Sequence, residues 1–228
     1  MKKIDVQHLD YEEVLRGSKA FVKKEKRDSI YKVAAIWLKK YWYRPGEVVD
    51  GIGLLLMVWN HAFYRYDNFS LDFDGLEQFL KKNETVVREF HNRDISTLTK
   101  DDEIKVKQLF DDLLEVLRCK EKKSPVAVGK ALHLLAPDFF PLWDNKISHA
   151  YSCHWGNSEY GSQKYCLFMQ KMKSLSERII QSYADRNNVD FETSKKAVCQ
   201  EAPNNLPFAK SLLKTIDEYN YAFVKEWI

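Results

Sequence analysis

The segment 47–63, EVVDGIGLLLMVWNHAF, constrains the fold more than any other stretch of this chain. From Ile52 to Trp59 it is apolar on every side of a helix rather than along one stripe. A helix here must therefore be covered nearly all round by other elements, which puts it at the centre of a packed structure. Asp50 bounds the run on one side, and Asn60 with His61 on the other. It falls well short of the roughly 20 apolar residues that span a bilayer. Gly51 and Gly53 weaken the helical reading or mark a turn into it.

Helical signals dominate the remainder. Residues 10–27 and 28–43 read as two helices, the second capped by Asp28 or Ser29 and stopped by Arg44-Pro45-Gly46. A loop follows from Tyr66 to Leu71, then short helices over Asp74 to Lys82 and Glu84 to Phe90. Ser96 or Thr99 begins another, with acidic residues in its first turn and an apolar stripe through Val106, Leu109, Phe110 and Leu113. After the polar linker 119–125, Ser124-Pro125 opens a helix from Val126 to Ala136, ended by Pro137. Asp144 caps a helix running through Ile147 and Tyr151, and helices over 162–186, 190–200 and 207–222 complete the chain. No alternating run makes a sheet, and there is no internal repeat or low-complexity tract. The expectation is an all-α, compact, two-lobed fold in a single domain, 1–228, with a divergent helix-hairpin-helix element inside 103–152.

Composition narrows the class further. With 45% hydrophobic and 30% charged residues among 228, and only 8 Gly and 6 Pro, the chain is globular rather than disordered or fibrous. The N-terminal MKKIDVQHLDYEEV has no apolar core of the kind a signal peptide carries. Cys119, Cys153, Cys166 and Cys199 are widely spaced, as expected of free thiols in a reducing compartment. The expected location is cytoplasmic or nucleoid-associated, nuclear in a eukaryote. Residues 1–46 carry 12 Lys/Arg against 6 Asp/Glu and residues 119–173 carry 8 against 4, flanking an acidic stretch, 47–118, with 9 against 15. Such segments suit a nucleic-acid-facing surface or simply solvated helix faces.

The stretch LFDDLLEVLRCKEKKSPVAVGKALHLLAPDFFPLWDNKI places Lys130 within a helix and Asp144 fourteen residues later at the start of the next. A helix followed by a tight return can bring both to the mouth of one cleft. A lysine partly removed from water is a usable amine nucleophile, and a nearby aspartate stabilises developing positive charge or assists deprotonation. Lys120, Lys122 and Lys123 at the turn are candidates for phosphate contacts, with solubilising charge as the plainer reading. Another basic run comprises Lys23, Lys24, Lys26 and Arg27.

VGKALHLL and FPLWDNKI resemble the helix-hairpin-helix DNA glycosylases, the base-excision superfamily that includes the 8-oxoguanine glycosylases. The resemblance covers residues 47–152 and implies an all-helical, two-lobed fold with an interlobe cleft. It implies that Lys130 is the nucleophile and Asp144 its partner, that no cofactor is needed, and that the partner is duplex DNA with an extruded base. The family's glycine-rich turn is replaced here by KEKKSPVAVG, and the iron–sulfur cysteine spacing of some members is absent.

The cluster WNHAFYRY follows the central helix, so Asn60 and His61 are candidate base contacts as well as candidate helix caps. Phe140 and Trp143 are candidate stacking platforms for a flipped base, or core residues. His133, His149, Cys153 and His154 match no metal-ligand spacing, so no metal is expected. Two other functional readings compete with excision of a damaged or modified base. One is a non-enzymatic helical module that binds nucleic acid or a protein. The other is a helical defence or toxin-like protein.

Overall fold

A computed structural model describes residues 3–26, 28–42, 44–64, 71–204 and 206–228. The expected loop from Tyr66 lies outside the described residues except for Leu71, as do Arg65 of the aromatic cluster and Arg27 of the basic run.

The described residues form helices and no named strand. Asp10 caps α1 (Tyr11–Lys24) by accepting a hydrogen bond from the Glu13 amide. α2 (Asp28–Tyr41) follows, and Pro45 opens α3 (Pro45–Trp59) at its first turn. α3 is the expected central helix, ended at Asn60, and the polar residues after it form a separate short α4 (His61–Tyr64). Gly51 lies inside α3 because α2 packs there: a Cβ at this position would stand 2.2 Å from the Leu38 side chain. The glycine is a close-approach residue, not a turn.

Asp72 caps α5 (Phe73–Lys82), and α6 (Glu84–His91) continues from it. The next helix starts later than its sequence suggests. Residues Ile95–Thr97 form a single 3-10 turn, and α7 spans Asp102–Val116. The delay has a cause: both Asp102 carboxylate oxygens are held in place, by the Thr99 amide and hydroxyl and by the Arg93 guanidinium. α8 (Pro125–Leu135) begins at Ser124, whose hydroxyl accepts from the Ala127 amide. Asp144 caps α9 (Asn145–Ala150), accepting from the Ile147 amide at 2.7 Å. α10 (Gly161–Asn187), α11 (Phe191–Glu201) and α12 (Leu212–Val224) complete the order. α12 starts five residues after Pro207 because Ser211, not the proline, supplies its cap.

α3 packs against α2, α5 and α8, and α7 packs against α5 and α8. α12 packs against α1 and α9, and α10 contacts α1, α7 and α11. These two groups of helices share one continuous core, running from Ile4 to Tyr219 in the sequence, so the lobes meet through packed side chains. No helix among the described residues is long and apolar enough to cross a membrane.

Candidate functional site

A pocket of about 410 Å³ opens between the two helix groups, within the roughly 300–1,000 Å³ typical of small-molecule sites. Its wall draws on the C-terminal ends of α1, α3 and α12, on α8, and on the segment around Asp144. Lys130, Asp144, Asn60 and Trp143 all line it.

Lys130 sits mid-helix in α8, only 8% exposed. Its Nζ donates to the Trp59 carbonyl at 2.9 Å and to Asn60 Oδ1 at 3.4 Å. The end of a helix is where unsatisfied carbonyls accumulate, so α3 offers the amine a negative dipole end. Asn60 in turn donates through Nδ2 to Ser124 Oγ at 3.1 Å, tying the end of α3 to the cap of α8. The Lys130 amine is thus fixed by both helices it lies between. Asp144 spends Oδ1 on capping α9, while Oδ2 accepts no hydrogen bond among the described residues. Trp143 is 1% exposed, and its indole N–H meets no acceptor among them. Gly129 lets the Trp143 backbone lie against α8, since a Cβ there would stand 3.3 Å from Trp143 Cβ.

The other sequence candidates fall elsewhere. Phe140 does not line this pocket. It is completely buried and packs its ring on Phe90 and Phe139 at 5.2 Å from each, while the chain first reaches the pocket two residues later, at Leu142. Its carbonyl accepts from His133 Nδ1 at 2.8 Å. That leaves Nε2 to accept the Tyr31 hydroxyl proton at 3.0 Å, which fixes the tautomer. Burial pushes the His133 imidazole down to about 3, so the ring is neutral. His61 is exposed at the start of α4 and also lies off the pocket.

Cys119 and Lys122 exchange backbone hydrogen bonds across a tight turn, with Lys120 in the left-handed region at φ 52°. Lys120 and Lys122 are exposed on this turn, away from the pocket lining, and Lys123 pairs with Glu115. The cations that do line the pocket wall and are exposed are Lys146 and Lys225. Among the described residues no group of three His, Cys, Asp or Glu side chains converges as a metal site would require.

The sequence reading missed the floor of the pocket. Asp217 on α12 lines it, 8% exposed, and belongs to a buried cluster of charges. Lys214 Nζ lies 3.2 Å from Asp217 Oδ2, 3.4 Å from Asp28 and 3.8 Å from Glu218. It also lies over the rings of Phe21, Tyr31 and Trp59. Lys210 Nζ donates to Glu218 at 2.5 Å and to the Pro203 carbonyl at 2.6 Å. Burial pushes the Asp217 carboxyl up to about 6, against the pull of Lys214 and with a further upward push from Asp144. Burial disfavours the Lys214 cation, but Asp217, Glu218 and Asp28 outweigh it and raise the group. In LLKTIDEYNYAF the spacing of Leu212, Ile216, Tyr219 and Phe223 shows one apolar stripe, which leaves Lys214, Asp217 and Glu218 looking solvated. No local signal marks them as buried.

No protein-family model, curated protein or solved structure matches this chain.

Proposed function

We propose that this protein is a DNA glycosylase that takes an extruded damaged or modified base into the pocket and cleaves its N-glycosidic bond. The observation that carries the reading is the convergence of Lys130, Asp144, Asn60 and Trp143 on one pocket, from α3, α8 and the cap of α9. Lys130 Nζ attacks C1′ of the nucleoside as the base departs, and after sugar ring opening the adduct is a Schiff base from which strand cleavage proceeds. The free oxygen of Asp144 lies where it can stabilise positive charge on the sugar or take a proton from the amine. Trp143 lines the pocket, and the Asn60 amide oxygen orients the amine. Lys146 and Lys225, exposed at the pocket wall, are the cations that would meet DNA phosphates in this reading. No cofactor enters this chemistry.

The test is borohydride trapping on duplexes carrying damaged bases or abasic sites, with Lys130→Ala beside the wild type. The reading expects a covalent adduct that the variant lacks. An adduct that persists in the variant moves the nucleophile to another amine. Base release without an adduct leaves a glycosylase that uses water. With folded protein and a broad lesion panel, neither adduct nor base release replaces the enzyme reading with a nucleic-acid- or protein-binding module.

A further inference from the structure

The charge cluster under the pocket distributes its cations unequally. Asp28 is approached by Lys32 at 3.5 Å as well as by Lys214. Glu218 has Lys210 at 2.5 Å, the Ser18 hydroxyl at 2.5 Å, and a distant share of Lys214. Among the described residues Asp217 has Lys214 alone, and shares it with both other carboxylates. Of the three acids, Asp217 is therefore the one reached by a single lysine where Asp28 and Glu218 are each reached by two, and it is the one that lines the pocket. Lys214 engages its Oδ2, while Oδ1 makes no hydrogen bond among the described residues.

The surroundings from other elements point the same way. Asp144, from the cap of α9, and Glu25, from the end of α1, add negative charge on the same pocket wall. Lys130 on α8 is held by the Trp59 carbonyl and Asn60, and Tyr31 on α2 is neutral. Lys146 and Lys225 are exposed to solvent. A buried carboxyl in this position keeps its proton to higher pH than an exposed one. Two carboxyls in one pocket, one capping a helix and one buried beside a shared cation, are thereby set to opposite tasks.

Resting on the glycosylase reading, we infer that Asp217 is the general acid that protonates the departing base, while Asp144 serves the sugar. As the C1′–N bond breaks, its electron pair passes into the base. The proton moves from Asp217 Oδ1 to a ring nitrogen or carbonyl oxygen of that base, and Lys130 Nζ, freed of one proton by Asp144, uses its lone pair to form the new bond to C1′. The base leaves neutral, Asp217 is left as a carboxylate beside Lys214, and solvent returns its proton after product release. The substrate class this favours is a neutral modified base, whose departure needs a proton. A cationic N-methylated purine leaves without one.

The experiment is single-turnover base release across about pH 5 to 8 from duplexes carrying either leaving group, with wild type, Asp217→Asn and Asp217→Glu. Trapping at a preformed abasic site runs alongside. The wild-type rate on a neutral base should fall as pH rises above about 6. Asp217→Asn should slow release of neutral bases about 100-fold or more and abolish that pH dependence. It should leave release of the cationic purine and abasic-site trapping near wild type, which also shows that the variant is folded. Asp217→Glu should restore part of the rate and the pH limb. Equal slowing on both leaving groups, or wild-type release of neutral bases by Asp217→Asn, overturns the assignment and leaves the glycosylase reading standing. A wild type that neither releases a base nor forms an adduct removes both.

Discussion

Lys130 Nζ lies 2.9 Å from the carbonyl oxygen of Trp59, so the amine of one helix completes the C-terminal end of another. The Trp59 ring that this residue carries stacks on Tyr31 at 5.7 Å, and Tyr31 reaches His133, one turn along α8 from Lys130. α2, α3 and α8 are thus locked together around the Lys130 side chain, which is held at a defined place.

Asn60 is the joint of that arrangement, since it accepts from Lys130 and donates to Ser124. Asn60→Ala removes both bonds and should cost about 1 kcal/mol of stability by urea denaturation. It should also lower the yield of the trapped adduct. His61→Ala, one residue on but exposed, should stay within about 0.5 kcal/mol of wild type. Equal effects of the two variants would show that Asn60 has no special part in holding Lys130.

Lys214 is 1% exposed and faces three carboxylates. Lys214→Met keeps the volume but leaves buried negative charge uncompensated, and should destabilise the fold by about 3–5 kcal/mol. A loss below about 1 kcal/mol in the denaturation midpoint would mean that water or protonation compensates the acids without the lysine.

The pH dependence of stability sets two buried groups against each other. His133, depressed to about 3, is neutral in the folded chain, whereas the unfolded imidazole titrates near about 6.5. Its contribution is present above about pH 6.5 and is lost as pH falls toward 3, at about 1.4 kcal/mol per pH unit. Asp217, raised to about 6, has the opposite sign: its contribution is full below the unfolded value of about 3.9 and is lost as pH rises through 6. Between about pH 4 and 6 the two slopes nearly cancel. Asp217→Asn should uncover the His133 slope, so that the variant loses stability on acidification faster than wild type does. Parallel curves for the two proteins over that range would show that Asp217 does not hold its proton in the folded state.

Arg93 grips Asp102 with both arms, at 2.8 and 2.6 Å, and donates to the Thr97 carbonyl at 2.7 Å. A lysine cannot reproduce that fork. Arg93→Lys should cost about 1 kcal/mol or more and lower the thermal midpoint, because the start of α7 loses its anchor. An unchanged midpoint would place the anchoring in the Thr99 bonds alone.

If duplex DNA docks over the pocket, its phosphates meet Lys146 and Lys225 rather than Lys123, whose charge is already paired with Glu115. Lys146→Gln and Lys225→Gln should each reduce the salt slope of DNA binding by about 1, with Lys123→Gln close to wild type. The reverse ranking in a salt titration would move the DNA path to the turn between α7 and α8.

What the sequence determined by itself is the set of helices and most of their ends. Asp10, Ser124 and Asp144 cap where their residue types say they should, because a cap is satisfied by amides two or three residues away. The central position of α3 was legible for a similar reason: an all-apolar helix has no face to give to water. That Lys130 and Asp144 line one pocket was legible because one short return of chain connects them. Which side chains leave water, and which face the pocket, follows from how the helices pack. Phe140 went into the core while Trp143, three residues on, reached the pocket, since that choice depends on where α8 lies beneath the turn. Lys214, Asp217 and Glu218 sit on the side of α12 that its apolar stripe assigns to solvent, and α1 and α2 bury them there. Periodicity reports one face of one helix. The burial of a charge is set by the partners on its other face, which in this chain come from the opposite end of the sequence.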